Sequence, residues 1–214
     1  MSFKSIRPVA VIAAAARMLG GLITAPARAT AEINSAPVLE FATGARLDGS
    51  AMLVRSEAGV TFTLHVGEGI AAHAPVTVWM VVWNNPENCD RLGGALPFCN
   101  DTDFNQEFDG NPATNVNVAV LGPIAGHVVG PNGKANFAGH LNVGDASGSI
   151  NGLFGLPFTG GLIDPFGAEV HLIVHVHPTD LGDGTVANAI HSFDGGCPGG
   201  VGCEDVSFAF FPKP

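Results

Sequence analysis

Tyrosine is absent from this chain, and basic residues are scarce, nine against nineteen acidic ones in 214 residues. That acidic balance argues against nucleic acid and anionic membrane surfaces as partners. No segment holds an amphipathic helical period over three turns or more, and no fixed-period repeat or linker divides the chain. There is no G-x-S-x-G elbow, so no hydrolase nucleophile of that type. There is no G-x-G-x-x-G opening a helix after a strand, so no dinucleotide site. No uninterrupted apolar run approaches the roughly 20 residues that span a bilayer.

Glycine is plentiful by contrast, with 29 residues, while charged residues make up only 13%. High glycine among short apolar segments favours an all-β domain with many tight turns. The N-terminus reads as an export signal: Lys4 and Arg7, then the apolar run from Val9 to Ala16, then small-x-small patterns at Ala27–Ala29 and Ala29–Ala31. Arg17 interrupts the apolar part. Cleavage is expected after Ala29 or Ala31, with the destination periplasmic or extracellular. Removing residues 1–31 takes four of the nine basic residues and no acidic one, leaving a net charge of −14. The remaining 32–214 suffices for one core and is small for two.

Within that domain the strands can be read in order. Leu47 to Val54 and Val60 to Val66 flank the turn Glu57-Ala58-Gly59 and predict a hairpin. Val76 to Trp83 is almost wholly apolar and predicts a central strand covered on both faces. Asn84-Asn85-Pro86 stops it and opens a long loop. Asn115 to Val120 alternates again. Gly126–Val129 and Ala135–His140 predict a second hairpin around Pro131-Asn132-Gly133. A two-residue turn puts His127 and His140 on one face; a three-residue turn puts them on opposite faces. Thr185 to Phe193 reads as a short strand or a helical turn, and Val206 to Phe210 as a last alternating strand. Seven to nine strands of this kind predict a single antiparallel β-sandwich of Ig-like or Greek-key type with long disulfide-bearing loops.

The four cysteines fall in two local pairs inside Gly/Pro/Asn-rich loops. In an oxidising compartment they predict the disulfides Cys89–Cys99 and Cys197–Cys203. The rival is a four-cysteine zinc site, against which stands the lack of C-x₂-C spacing.

Chemistry concentrates in Glu169-Val170-His171-Leu172-Ile173-Val174-His175-Val176-His177. Its even positions are apolar and its odd ones mostly polar, the period of a half-buried strand. Same-face neighbours two apart stand roughly 6.5–7 Å from each other, so His175 and His177 can converge on one ion. His171 would have to lean in, and Glu169 is further still. A third ligand is expected from a neighbouring strand, His127 or His140. Imidazole suits zinc or copper. Asp101, Asp103, Asn105, Glu107 and Asp109-Gly110 offer oxygens for calcium, but with Asn105 first the twelfth place is Val116, where an EF-hand needs glutamate.

The order of features resembles small exported sandwich domains of the Cu,Zn superoxide dismutase and CHRD (chordin-type) kind. The shared order is an early hairpin (48–66), a Gly-containing loop (67–75), a strand (76–83) and a cysteine-bearing loop (84–100). The segments Trp79–Cys89 and Ala168–Leu172 are also similar to W-x-V-x-(W/F)-N-N-P-x-x-C and A-E-(V/I)-H-L motifs of bacterial exported proteins. The resemblance implies the sandwich and carries no ligand over. Dismutases place an H-x-H copper pair on the strand before that cysteine loop, where this chain has Trp79, Val81 and Trp83. The function expected is a non-enzymatic exported module that binds a protein or small-molecule ligand. The alternative is a zinc or copper protein, an enzyme if the metal keeps an open position.

Overall fold

The computed structural model describes residues 31–90, 98–107, 115–157, 160–197 and 202–214, with the side chains of 105–107 and 183 not included. The segment read as an export signal therefore lies, but for its last residue, outside the described residues. Among the described residues there are nine strands: β1 (Glu32–Ala36), β2 (Leu39–Glu40), β3 (Gly49–Ser56), β4 (Gly59–Val66), β5 (Pro75–Trp83), β6 (Val118–Val128), β7 (Ala135–Asn142), β8 (Glu169–Val176) and β9 (Glu204–Phe211). They form a four-stranded sheet in the order β1-β3-β4-β7 and a five-stranded sheet in the order β2-β9-β8-β5-β6. Every ladder is antiparallel. The expected all-β sandwich is the architecture found.

The core follows from period-two alternation. Val60, Phe62, Leu64 and Val66 of β4 meet Val76, Val78, Met80 and Val82 of β5 and Val170, Leu172 and Val174 of β8. At about 25 cal/mol per Å² of apolar surface removed from water, these inward rows dominate the stability. Arg55, on the inner face of β3, is the exception. Its guanidinium is fully buried and donates to the carbonyls of Pro165, Ala168 (2.9 Å), Phe211 (3.2 Å) and Pro212 (2.9 Å) and to Asn34 Oδ1 (3.0 Å). It ties β3 to the ends of β8 and β9.

The two sheets differ on their outer faces. The four-stranded sheet shows Thr61, Thr63 and Met52 to solvent. The five-stranded sheet is roofed by its loops, and Val81, Trp83, Val118 and Val120 form a second cluster with Cys99, Val116 and Leu156. Short 3₁₀ turns at Pro86–Asn88, Asp101–Glu107 and Asn151–Phe154 and the helix α1 (Asp183–Ala189) belong to this roof. Both predicted disulfides staple it, Cys89–Cys99 with Cα atoms 5.4 Å apart and Cys197–Cys203 with 5.7 Å.

Two expectations are corrected. The stretch 126–140 is no hairpin: β6 pairs with β5 and β7 pairs with β4, so the turn crosses from one sheet to the other. Its turn chemistry is still present, with Gly133 at φ +68° and its N–H bonded to Gly130 O at 3.1 Å. And β8, expected to be half-buried, is covered on both faces, because the loops lie over its polar side.

Candidate functional site

The site is the outer face of β9-β8-β5 under that roof. Strand β5 contributes Thr77, Trp79, Val81 and Trp83, and β8 contributes Glu169, His171, Ile173 and His175, with His177 just beyond its end. From β9 come Phe210, paired with His171, and Phe208, paired with Ile173. A bulge then skips Val206 and sets Asp205 opposite His175. The extra residue changes the phase of the strand, so Asp205 reaches the histidine face instead of the core.

Glu169 and His171 form a buried pair at one end. His171 Nε2 donates to Glu169 Oε1 at 2.8 Å, and the same oxygen accepts the Cys99 N–H at 2.7 Å. The carboxylate thus anchors the first disulfide loop to β8. The His171 ring lies edge-on to Phe98, 5.3 Å between centroids, and Phe98 in turn contacts Phe208 and Phe210. Trp83 stacks on Phe104 at 5.2 Å. Between these rings opens a cleft of about 740 Å³. Trp79, Trp83, Phe98, Phe104, Phe154 and Phe208 line it, with Asp101 and Asp205 as its carboxylates. No lysine or arginine is among the described lining residues. Both tryptophans of the chain are in this wall. Trp83 Nε1 is buried and has no hydrogen-bond partner among the described residues.

His175 and His177 occupy the other end. His175 Nδ1 donates to Asp205 Oδ1 at 2.7 Å. Its ring lies 4.4 Å from that of Trp79 and stacks on Phe193 at 5.5 Å. Its Nε2 is buried with no partner among the described residues. His177 Nε2 meets the Thr77 hydroxyl at 3.1 Å, and its Nδ1 meets the Gly195 carbonyl at 2.8 Å. That network is satisfied with the proton on Nδ1 and the hydroxyl donating to Nε2. His177 Nδ1 also stands 3.3 Å from Cys203 Sγ and 3.9 Å from Cys197 Sγ. Burial pushes the His177 pKa below its ordinary value, and nearby His175 adds to this, against the pull of the Gly195 carbonyl and Asp194.

The residues singled out in the sequence are thus divided. His175 and His177 come together. His171 and Glu169 are roughly 13 Å or more back along the strand from His175 and are held by one another. Neither proposed third histidine joins them. His127 points to the sandwich side of β6 and stacks on Phe137 at 4.6 Å, and His140 is on the exposed face of β7, bonded to Thr61 and Asn142. The third atom close to them is a disulfide sulfur: His175, His177 and Cys203 each have a nitrogen or sulfur within 4.8 Å of the others, with Cys203 bonded to Cys197. Asp103 is a loop staple, its carboxylate accepting the N–H groups of Asp90 and Asn100. Asp205 and the cleft were missed by sequence reasoning. The bulge that aims Asp205 leaves no mark in the alternation of β9, and the cleft needs seven separate segments of the chain at once.

No family model, no curated protein and no solved structure matches the chain.

Proposed function

We propose that this protein is an exported, non-enzymatic binding module whose ligand enters the aromatic cleft. The ligand class is a small organic cation with a flat apolar portion. One observation carries the reading: an open cleft walled by aromatic faces, with two carboxylates and no cation among its described lining residues. Its volume is within the range of small-molecule sites, about 300–1,000 Å³. Aromatic faces bear negative quadrupole potential and attract ammonium groups by about 0.5–2 kcal/mol each. The overall negative charge favours the same ligand and opposes anions. Within the described residues no helix is long and apolar enough to cross a membrane, and two disulfides are present, both compatible with export.

The test is a fluorescence titration. Because both tryptophans line the cleft, the intrinsic emission reports its occupancy. Benzyltrimethylammonium, neutral benzyl alcohol and anionic benzenesulfonate should perturb the emission in that order of affinity. Equal affinity for the sulfonate, or no saturable change with any of the three, overturns the reading.

A further inference from the structure

We propose that the Cys197–Cys203 disulfide masks a metal site, and that its reduction frees two thiolates which join His175 and His177 to hold one zinc ion. This does not rest on the cleft reading.

The geometry is that of ligands awaiting an ion. On a tetrahedral zinc, nitrogen at about 2.0–2.1 Å and sulfur at about 2.3 Å stand roughly 3.5 Å apart. His177 Nδ1 lies 3.3 Å from one sulfur and 3.9 Å from the other, values that bracket this separation. His175 is more than nine-tenths buried, and its Nε2 has no partner among the described residues. An unpartnered buried ring nitrogen is an acceptor with nothing to accept, and His175 offers a ring nitrogen within 4.8 Å of a ligand atom of His177 and of the Cys203 sulfur. Both rings are also held from behind. Asp205 Oδ1 takes His175 Nδ1–H, and the Thr77 hydroxyl contacts His177 Nε2. Metal-bound histidines carry such supports, which fix the ring and its tautomer. Zinc binding at His177 Nδ1 calls for the other neutral tautomer: the proton leaves Nδ1, where Gly195 O now accepts it, and one is taken up at Nε2, with the Thr77 hydroxyl turning to accept it.

The chemistry balances. A dithiol reductant delivers two electrons and two protons to the disulfide and leaves as its own disulfide. The Sγ–Sγ bond breaks and two thiols form. Zinc then displaces both thiol protons to solvent. Two thiolates and two neutral imidazoles cancel the charge of the divalent ion, which suits a buried place. A two-electron disulfide oxidant reverses the sequence and ejects the metal.

The experiment uses the mature chain reduced with a non-chelating phosphine and titrated with cobalt(II) as the spectroscopic probe for zinc. The reduced protein should take up about one ion per chain with sulfur-to-cobalt charge-transfer absorption. The oxidised protein should show no such band. Cys197→Ser/Cys203→Ser should abolish it, and Cys89→Ser/Cys99→Ser should retain it. If the first double variant fails to fold, His175→Ala decides, because both sulfurs remain: its cobalt affinity should fall at least about tenfold. A reduced, folded protein without the band overturns the proposal. So does a band that survives loss of Cys197 and Cys203, or a His175→Ala variant with unchanged affinity.

Discussion

Arg55 shows what one side chain can do inside a sandwich. Its donors serve four backbone carbonyls and an amide oxygen contributed by separate segments. Burial pushes its pKa down, and the field of Glu32, Asp164 and Glu169 opposes that. Arg55→Ala strips several buried acceptors of their donor at once, each worth about 1–3 kcal/mol when left unmade. Urea unfolding should therefore show a loss of at least about 3 kcal/mol. A loss under about 1 kcal/mol would mean that water replaces the guanidinium. His127 makes the second case at this scale. Burial against Phe137 lowers its pKa from the ordinary 6.5. The folded state then binds fewer protons than the unfolded state, so the contribution is complete above pH 6.5 and is lost as pH falls below it, towards the folded value. His127→Leu should leave the Tm at pH 8 nearly unchanged and make its decline below pH 6.5 shallower. The decline that remains belongs in part to His177, whose pKa is shifted the same way.

Strands β5 and β8 are the elements that set the site, and they were legible for different reasons. The unbroken apolar run of β5 is what two-sided burial selects, and all nine of its residues are buried. The alternation of β8 places Val170, Leu172 and Val174 in the core as read. Its polar side is where local pattern fails, since Glu169, His171 and His175 are buried by loops far away in sequence. The 126–140 segment failed for a related reason. An Asn-Gly turn fixes a local reversal, but whether the strands pair or part depends on what lies beside each, and β4 and β5 were the better partners. On β9 the expected alternation exists, yet Ala209 and Phe211 take the core while Phe208 and Phe210 face the cleft side. The first disulfide loop yields a prediction of its own. Closing a ten-residue separation stabilises by about 3 kcal/mol in the loop-entropy picture. Cys89→Ser/Cys99→Ser should lose about that much. It should also speed hydrogen exchange at Cys99 N–H, now held by Glu169, by at least about tenfold.

At the scale of the whole molecule, one sheet face is bare and the other is roofed. The roof makes a second apolar cluster, an aromatic cleft and a histidine–sulfur cluster out of loops that have no regular period. The chain as a whole is acidic, with nineteen acidic residues against nine basic ones. That balance should make cation uptake sensitive to salt, weakening as ionic strength rises from about 0.01 to 1 M and the Debye length shrinks from about 30 to 3 Å. The most direct measurement is a nitrogen–proton NMR spectrum of the two indole groups, Trp79 and Trp83, during addition of benzyltrimethylammonium. Both indole resonances should move and saturate together, with the exposed face of β3 and β4 unaffected. Indoles that stay fixed while other signals shift, or shifts that never saturate, would contradict a ligand site in the cleft.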